Sequence, residues 1–124
     1  MFRLSRTNEI IIDVSTKVLF LYQGESLLYQ FPIAIGKNST PTPLGQWQVI
    51  NKKILTEDSI FGSRWIGLSA HSYGIHGTNN PASIGTAASL GCVRLYNRDV
   101  ETLFPLVSIG TPVTITTHHQ RRRR

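Results

Sequence analysis

Residues 75–95 read IHGTNNPASIGTAASLGCVRL, and the rest of the chain is best read outward from this stretch. It holds the only cysteine of the protein, Cys92. Sixteen positions earlier stands His76, inside Ile75-His76-Gly77-Thr78. Gly, Ser, Thr and Asn dominate the interval, with too little apolar periodicity for a helix or a core strand. Gly91 precedes the cysteine and Arg94 follows it by two positions. A free thiol is mostly protonated at neutral pH, while the thiolate is the reactive form. A neighbouring imidazole can take that proton or favour the thiolate as an ion pair. Cys92 and His76 are therefore a candidate dyad. Acyl transfer also needs donors aimed at a developing oxyanion, and Gly91 lets backbone approach a carbonyl without a Cβ in the way. A backbone carbonyl or a carboxylate would orient the imidazole. The bland reading stands beside this one: a lone cysteine is often a small buried hydrophobe, and a Gly/Asn/Ser stretch is often a plain loop.

Before this stretch the chain reads as strands. Residues 9–14 and 17–22 are β-branched and aromatic, separated by Ser15-Thr16, which predicts a hairpin. A turn at 23–26 leads to a third strand over 27–35, then a loop over 36–43 stiffened by two prolines. Residues 45–51 form a fourth strand with Trp47 and Val49 on one face, and 52–64 read as a flap. Short strands follow at 65–68 and 73–76. Pro81 to Gly85 form a turn or one helical turn, and 90–95 extend again. Asn97 is a candidate helix cap, with Asp99 and Glu101 in the first turn, where the dipole favours negative charge. Val100, Leu103, Phe104 and Val107 share an apolar face, and Pro105 ends or kinks the helix near Phe104. Pro112 to Thr116 form a last strand. The expected fold is mainly β, a curled mixed sheet or β-sandwich with one short helix in the C-terminal half.

At this point the residues reach a resemblance. His76-Gly77-Thr78-Asn79-Asn80-Pro81 followed by Ser89-Leu90-Gly91-Cys92-Val93-Arg94-Leu95 resembles the signature of the L,D-transpeptidase catalytic domain, the YkuD family. Ser39-Thr40-Pro41-Thr42-Pro43-Leu44-Gly45-Gln46-Trp47 resembles its TPTPxGxF/W segment, and Asp13-Val14-Ser15-Thr16-Lys17 its N-terminal hairpin. The likeness runs from about Glu9 to Thr116. One departure stands out: many members carry His where this chain has Leu90, which leaves His76 as the only histidine in the signature. The resemblance implies a cysteine enzyme acting on peptidoglycan stem peptides. Cys92 would be the nucleophile and His76 the base, with the Gly77 carbonyl orienting the imidazole. Gly91, Ser89, Arg94 and Tyr73 would serve the oxyanion and the substrate. It implies no cofactor or metal, a carbapenem adduct at Cys92, and an extracytoplasmic, cell-wall location.

Composition bounds the alternatives. The chain has 124 residues, enough for one domain with one real core. The division expected is a catalytic domain over 1–117 and a basic, disordered tail over 118–124. Net charge is +6, but Arg121 to Arg124 supply four of the thirteen basic residues, leaving nine against seven acidic ones. Without aromatic interleaving, that run does not read as a specific nucleic-acid surface. No apolar run approaches the roughly 20 residues of a membrane span, and the basic start lacks the apolar region of a signal peptide. A monomer is expected. His71, five residues before His76, invites a metal reading, which the missing carboxylate cluster disfavours. Arg94 reads as a carboxylate-binding cation or as a brace, Ser89 as a donor or a turn hydroxyl, and Tyr73 as packing or groove lining. Two rivals remain: a sortase-like or hydrolytic thiol peptidase, and an inactive wall-binding module.

Overall fold

The structure is a computed structural model that describes residues 7–56 and 58–121; the arginines at 122–124 lie outside the described residues. The expected hairpin is formed by β1 (Asn8–Asp13) and β2 (Val18–Gln23), paired with Ile10 opposite Leu21 and Ile12 opposite Leu19. Alternation then sorts the side chains. Ile10, Ile12, Leu19 and Leu21 enter the main core, while Ile11, Phe20 and Tyr22 form a smaller cluster on the other face.

The third predicted strand is divided into β3 (Ser26–Pro32) and β4 (Ile35–Gly36). Pro32 ends the first piece because it has no N–H to continue the ladder. Next comes β5 (Gly45–Ile54), which runs three residues past the expected end, so the flap is shorter than the sequence predicts. Lys52, Lys53 and Ile54 pair with Ile66, Trp65 and Arg64 of β6 (Arg64–Leu68). Then follow β7 (Gly74–His76), β8 (Ala87–Ser89), β9 (Val93–Arg94), α1 (Asn97–Leu103) and β10 (Pro112–Thr116). The extended segment expected over 90–95 is thus reduced to a two-residue strand. A 3-10 turn, Phe104–Leu106, ends the helix at Pro105 as predicted.

Among the described residues one sheet runs in the order β3-β2-β1-β10-β5-β6-β7-β9, and β4 pairs with β8 in a separate ribbon. The sheet is mixed: β1 runs parallel to β10 and β7 parallel to β9, the other pairs being antiparallel. It curls around a core that includes Val49, Ile66, Ile75, Val93 and Val113, and α1 adds Val100 and Leu103. One end of the curl is thus a two-sided hydrophobic block. The other ends in the short strands that carry His76 and follow Cys92.

The cap and the tail differ from expectation. The N-cap of α1 is Tyr96 and makes no side-chain cap bond; Asn97 lies inside the first turn and points its carbonyl oxygen elsewhere. His119, expected in a disordered tail, is docked: its N–H donates to Asp13 Oδ2 at 3.0 Å and its ring lies 4.9 Å from that of Phe20.

Candidate active site

Sheet register brings the candidate groups together. In the parallel pair β7/β9, Ile75 lies opposite Val93 and His76 opposite Arg94. Side chains two apart on an extended segment leave from one face. Cys92, Arg94 and His76 therefore share a face, and all three line one open groove of about 710 Å³. Tyr73, Ser72, Ser89 and Leu90 line it too, with Ile60 and Phe61 from the flap.

His76 is 4% exposed. Its Nδ1 lies 2.5 Å from the Gly77 carbonyl oxygen, so Nδ1 carries the proton and donates, and Nε2 is the basic nitrogen. Trp65 is its antiparallel cross-strand partner, and the two rings stack with centroids 5.6 Å apart. Phe61 packs against the imidazole nearly at right angles, at 5.2 Å. Burial pushes the His76 pKa down to about 4; the Gly77 and Phe61 backbone groups oppose this and the Arg94 charge adds to it. Cys92 is half-buried, and its thiol faces the Ser72 carbonyl oxygen 4.0 Å away. Ser72 adopts φ +66°, a rare conformation for a residue with a Cβ. Burial pushes the Cys92 thiol up, with the Gly74 N–H and Arg94 acting against it. At neutral pH the groove is therefore lined by a protonated thiol and a neutral imidazole.

The turn before Cys92 is held by Ser89, which is 2% exposed. Its hydroxyl donates to the Cys92 carbonyl at 2.6 Å and accepts the Gly91 N–H at 3.0 Å. Both bonds are structural, which favours the turn reading of Ser89. They also engage the Gly91 amide, leaving the Cys92 N–H as the amide with no hydrogen-bond partner among the described residues. The Thr-Pro-Thr loop supports this turn from behind. Lys37 N–H and Thr40 Oγ1 both donate to the Ser89 carbonyl, at 3.0 and 2.9 Å. Gly91 has φ +127°, and a Cβ there would sit 3.0 Å from Tyr73 Cδ1 and closer still to Cε1. Tyr73 thus acts through the edge of its ring, excluding any residue but glycine before the cysteine. Arg94 has no ion pair or side-chain hydrogen bond among the described residues.

His71 lies in the groove, but no group of three His, Cys, Asp or Glu is placed to hold a metal among the described residues. Sequence reasoning missed Phe61, Trp65 and Asn97. Phe61 lay in a predicted flap and Trp65 in a predicted strand, and nothing local marked either as a neighbour of His76.

A sheet of this topology with a cysteine and a histidine in one groove defines the class, and comparison with known proteins agrees. The family model for the L,D-transpeptidase catalytic domain, YkuD, matches residues 7–115. The protein named L,D-transpeptidase YkuD in Bacillus licheniformis is 45% identical over 107 residues, covering 86% of this chain and 64% of the relative. An L,D-transpeptidase from Mycobacterium smegmatis superposes with a TM-score of 0.79 at 17% identity, over 90% of this chain and 59% of that one. The L,D-transpeptidase LdtMt1 in complex with imipenem superposes with a TM-score of 0.78 at 19% identity, over 90% and 60%. The last two show the fold. The chain belongs to the L,D-transpeptidase catalytic-domain family. It spans 64% of the length of its Bacillus licheniformis relative.

Proposed function

We propose that this domain is a cysteine acyltransferase acting on peptidoglycan stem peptides at the outer side of the cell membrane. The observation that carries the reading is the shared face: register sets His76 beside Arg94, Cys92 leaves from the same side, and the Arg94 guanidinium has no ion pair or hydrogen bond among the described residues. His76 Nε2 takes the thiol proton as Cys92 Sγ attacks the carbonyl of the L-to-D bond in a donor tetrapeptide. The oxyanion is met by the Cys92 N–H. Collapse breaks the C–N bond, and the imidazolium returns its proton to the departing D-residue. The resulting thioester is attacked by the amine of a second stem peptide or a free D-amino acid. His76 takes a proton from that amine and passes it to the sulfur as the new amide forms. Gly77 keeps Nδ1 protonated throughout, and Arg94 pairs with a free carboxylate of the stem peptide. The imipenem complex of LdtMt1 supports the further expectation that a carbapenem acylates Cys92 here.

Incubation with purified disaccharide-tetrapeptides, followed by mass spectrometry, tests the reaction. Expected are loss of the terminal D-residue and joined products with wild type, and neither with Cys92→Ala. Wall binding without turnover would favour an inactive binding module; free tripeptide alone would favour a hydrolase.

A further inference from the structure

Asn97 opens α1 without capping it. Its Oδ1 instead accepts two backbone amides from outside the helix, Ser63 N–H at 3.1 Å and Thr78 N–H at 3.1 Å. Each of these amides follows a glycine, Gly62 or Gly77, and a Cβ on either glycine would collide with Asn97 Oδ1. Gly62 also adopts φ +68°, which a side chain would strain. One helical turn further on, the Glu101 carboxylate accepts the hydroxyl of Ser63, a residue only 1% exposed, at 2.5 Å. The Gly77 N–H completes the junction by donating to the Arg64 carbonyl at 3.2 Å. The helix therefore clamps two segments to each other: the end of the flap and the turn after His76. Those segments carry the groups that set the imidazole, namely Phe61 and Trp65 on one and the Gly77 carbonyl on the other.

We propose that Asn97 is a positioning residue that holds His76 in its Nδ1–H tautomer by fixing the Gly77 carbonyl against the ring. The proposal rests on His76 acting as the base for Cys92. A single acceptor oxygen bridging two amides tolerates little displacement, since each bond weakens steeply as its angle departs from linear. Without it the Gly77–Arg64 bond is the remaining backbone hydrogen bond between the end of the flap and the turn after His76 among the described residues, and the Gly77 carbonyl is free to turn. A ring that lost this acceptor would populate both tautomers, and the proton would then sit in part on the nitrogen that must be basic.

The test uses histidine-labelled protein and long-range nitrogen–proton NMR correlations at His76, together with kcat and KM on a tetrapeptide donor. Wild type should show a protonated Nδ1 and a bare Nε2. In Asn97→Ala the two nitrogen shifts should converge, and kcat should fall about tenfold or more while KM changes less than about twofold. Asn97→Asp, whose carboxylate can accept the same two amides, should restore the wild-type nitrogen pattern and most of kcat. If Asn97→Ala does not fold, Asn97→Ser, too short to reach both amides, carries the same expectation. A folded Ala or Ser variant with the wild-type nitrogen pattern overturns the proposal, even if its activity falls. The tautomer is read without substrate. Failure of wild type to turn over stem peptides would therefore refute the proposed function and leave this test standing.

Discussion

The two ends of the sheet are built on different principles. Around β1, β2 and β10 the backbone is regular and side chains carry the stability. Ile10, Ile12 and Leu19 are completely buried, and register alone sorts them from Ile11 and Phe20 on the other face. Around β7 and β9 the strands are only three and two residues long, and backbone placement dominates. There the decisive features are a positive φ at Gly91, a hydroxyl bridging two peptide groups, and one amide oxygen bridging two loops. The first region tolerates changes of shape if volume and apolarity are kept. The second tolerates changes of volume only where backbone does not need the space. The contrast teaches where stability and reactivity are separable in this chain.

The largest expected effect is all-or-none. Intact-mass analysis after carbapenem exposure should show one added drug mass on wild type and none on Cys92→Ala. An adduct that persists on the alanine variant would move the nucleophile elsewhere. A paired substitution then sharpens the contrast between regions. Ile12→Ala should lower stability by about 2–5 kcal/mol yet leave turnover per folded molecule within about twofold, because only the core is hollowed. Gly91→Ala should lower turnover by about a hundredfold, because its Cβ drives the Tyr73 ring or the cysteine out of place. Denaturation curves and steady-state rates on the same preparations decide, and the reverse pattern would break the distinction.

Acidity probes the second region through His76. His76 titrates near about 4 when folded, against 6.5 for a free histidine. The unfolded chain therefore binds its proton first as pH falls, so the stability from keeping the ring neutral is present above about 6.5 and lost on approach to about 4. The shift corresponds to a loss of about 3 kcal/mol across that window, which His76→Phe should remove from the pH dependence of unfolding. The acidic limb of kcat/KM should lie near about 4 for the same reason; a limb near 6.5 would mean the ring is not desolvated as the geometry indicates. The smallest effect is at Arg94. Arg94→Lys should keep the melting temperature and lower turnover about tenfold, since an ammonium lacks the planar fork that grips a carboxylate. Unchanged activity would remove the carboxylate role, and a fall in both melting temperature and activity would make Arg94 a brace.

Much of this was legible because the signals were local. The hairpin, the last strand and the helix stop at Pro105 follow from alternation and from proline chemistry. The Cys92–His76 pair was legible because both lie in one glycine-rich stretch, although only the parallel register of β7 with β9 puts them on one face. Trp65 was not, because its place over His76 depends on the antiparallel register of β6 with β7, which alternation along either strand does not fix. Asn97 misled for a physical reason. An Asn at a helix start is a common cap, but here Gly62 and Gly77 bring two foreign amides closer than its own helix does.

The central claim is that acyl transfer runs through the Cys92 sulfur with His76 as its base. Rapid quenching of wild type with a disaccharide-tetrapeptide donor, followed by intact mass and peptide mapping, tests it most directly. The account predicts a transient disaccharide-tripeptide acyl group on Cys92, formed at least about a hundredfold more slowly in His76→Ala and absent from Cys92→Ala. An acyl group mapped to another residue, or turnover by Cys92→Ala at the wild-type rate, would contradict it.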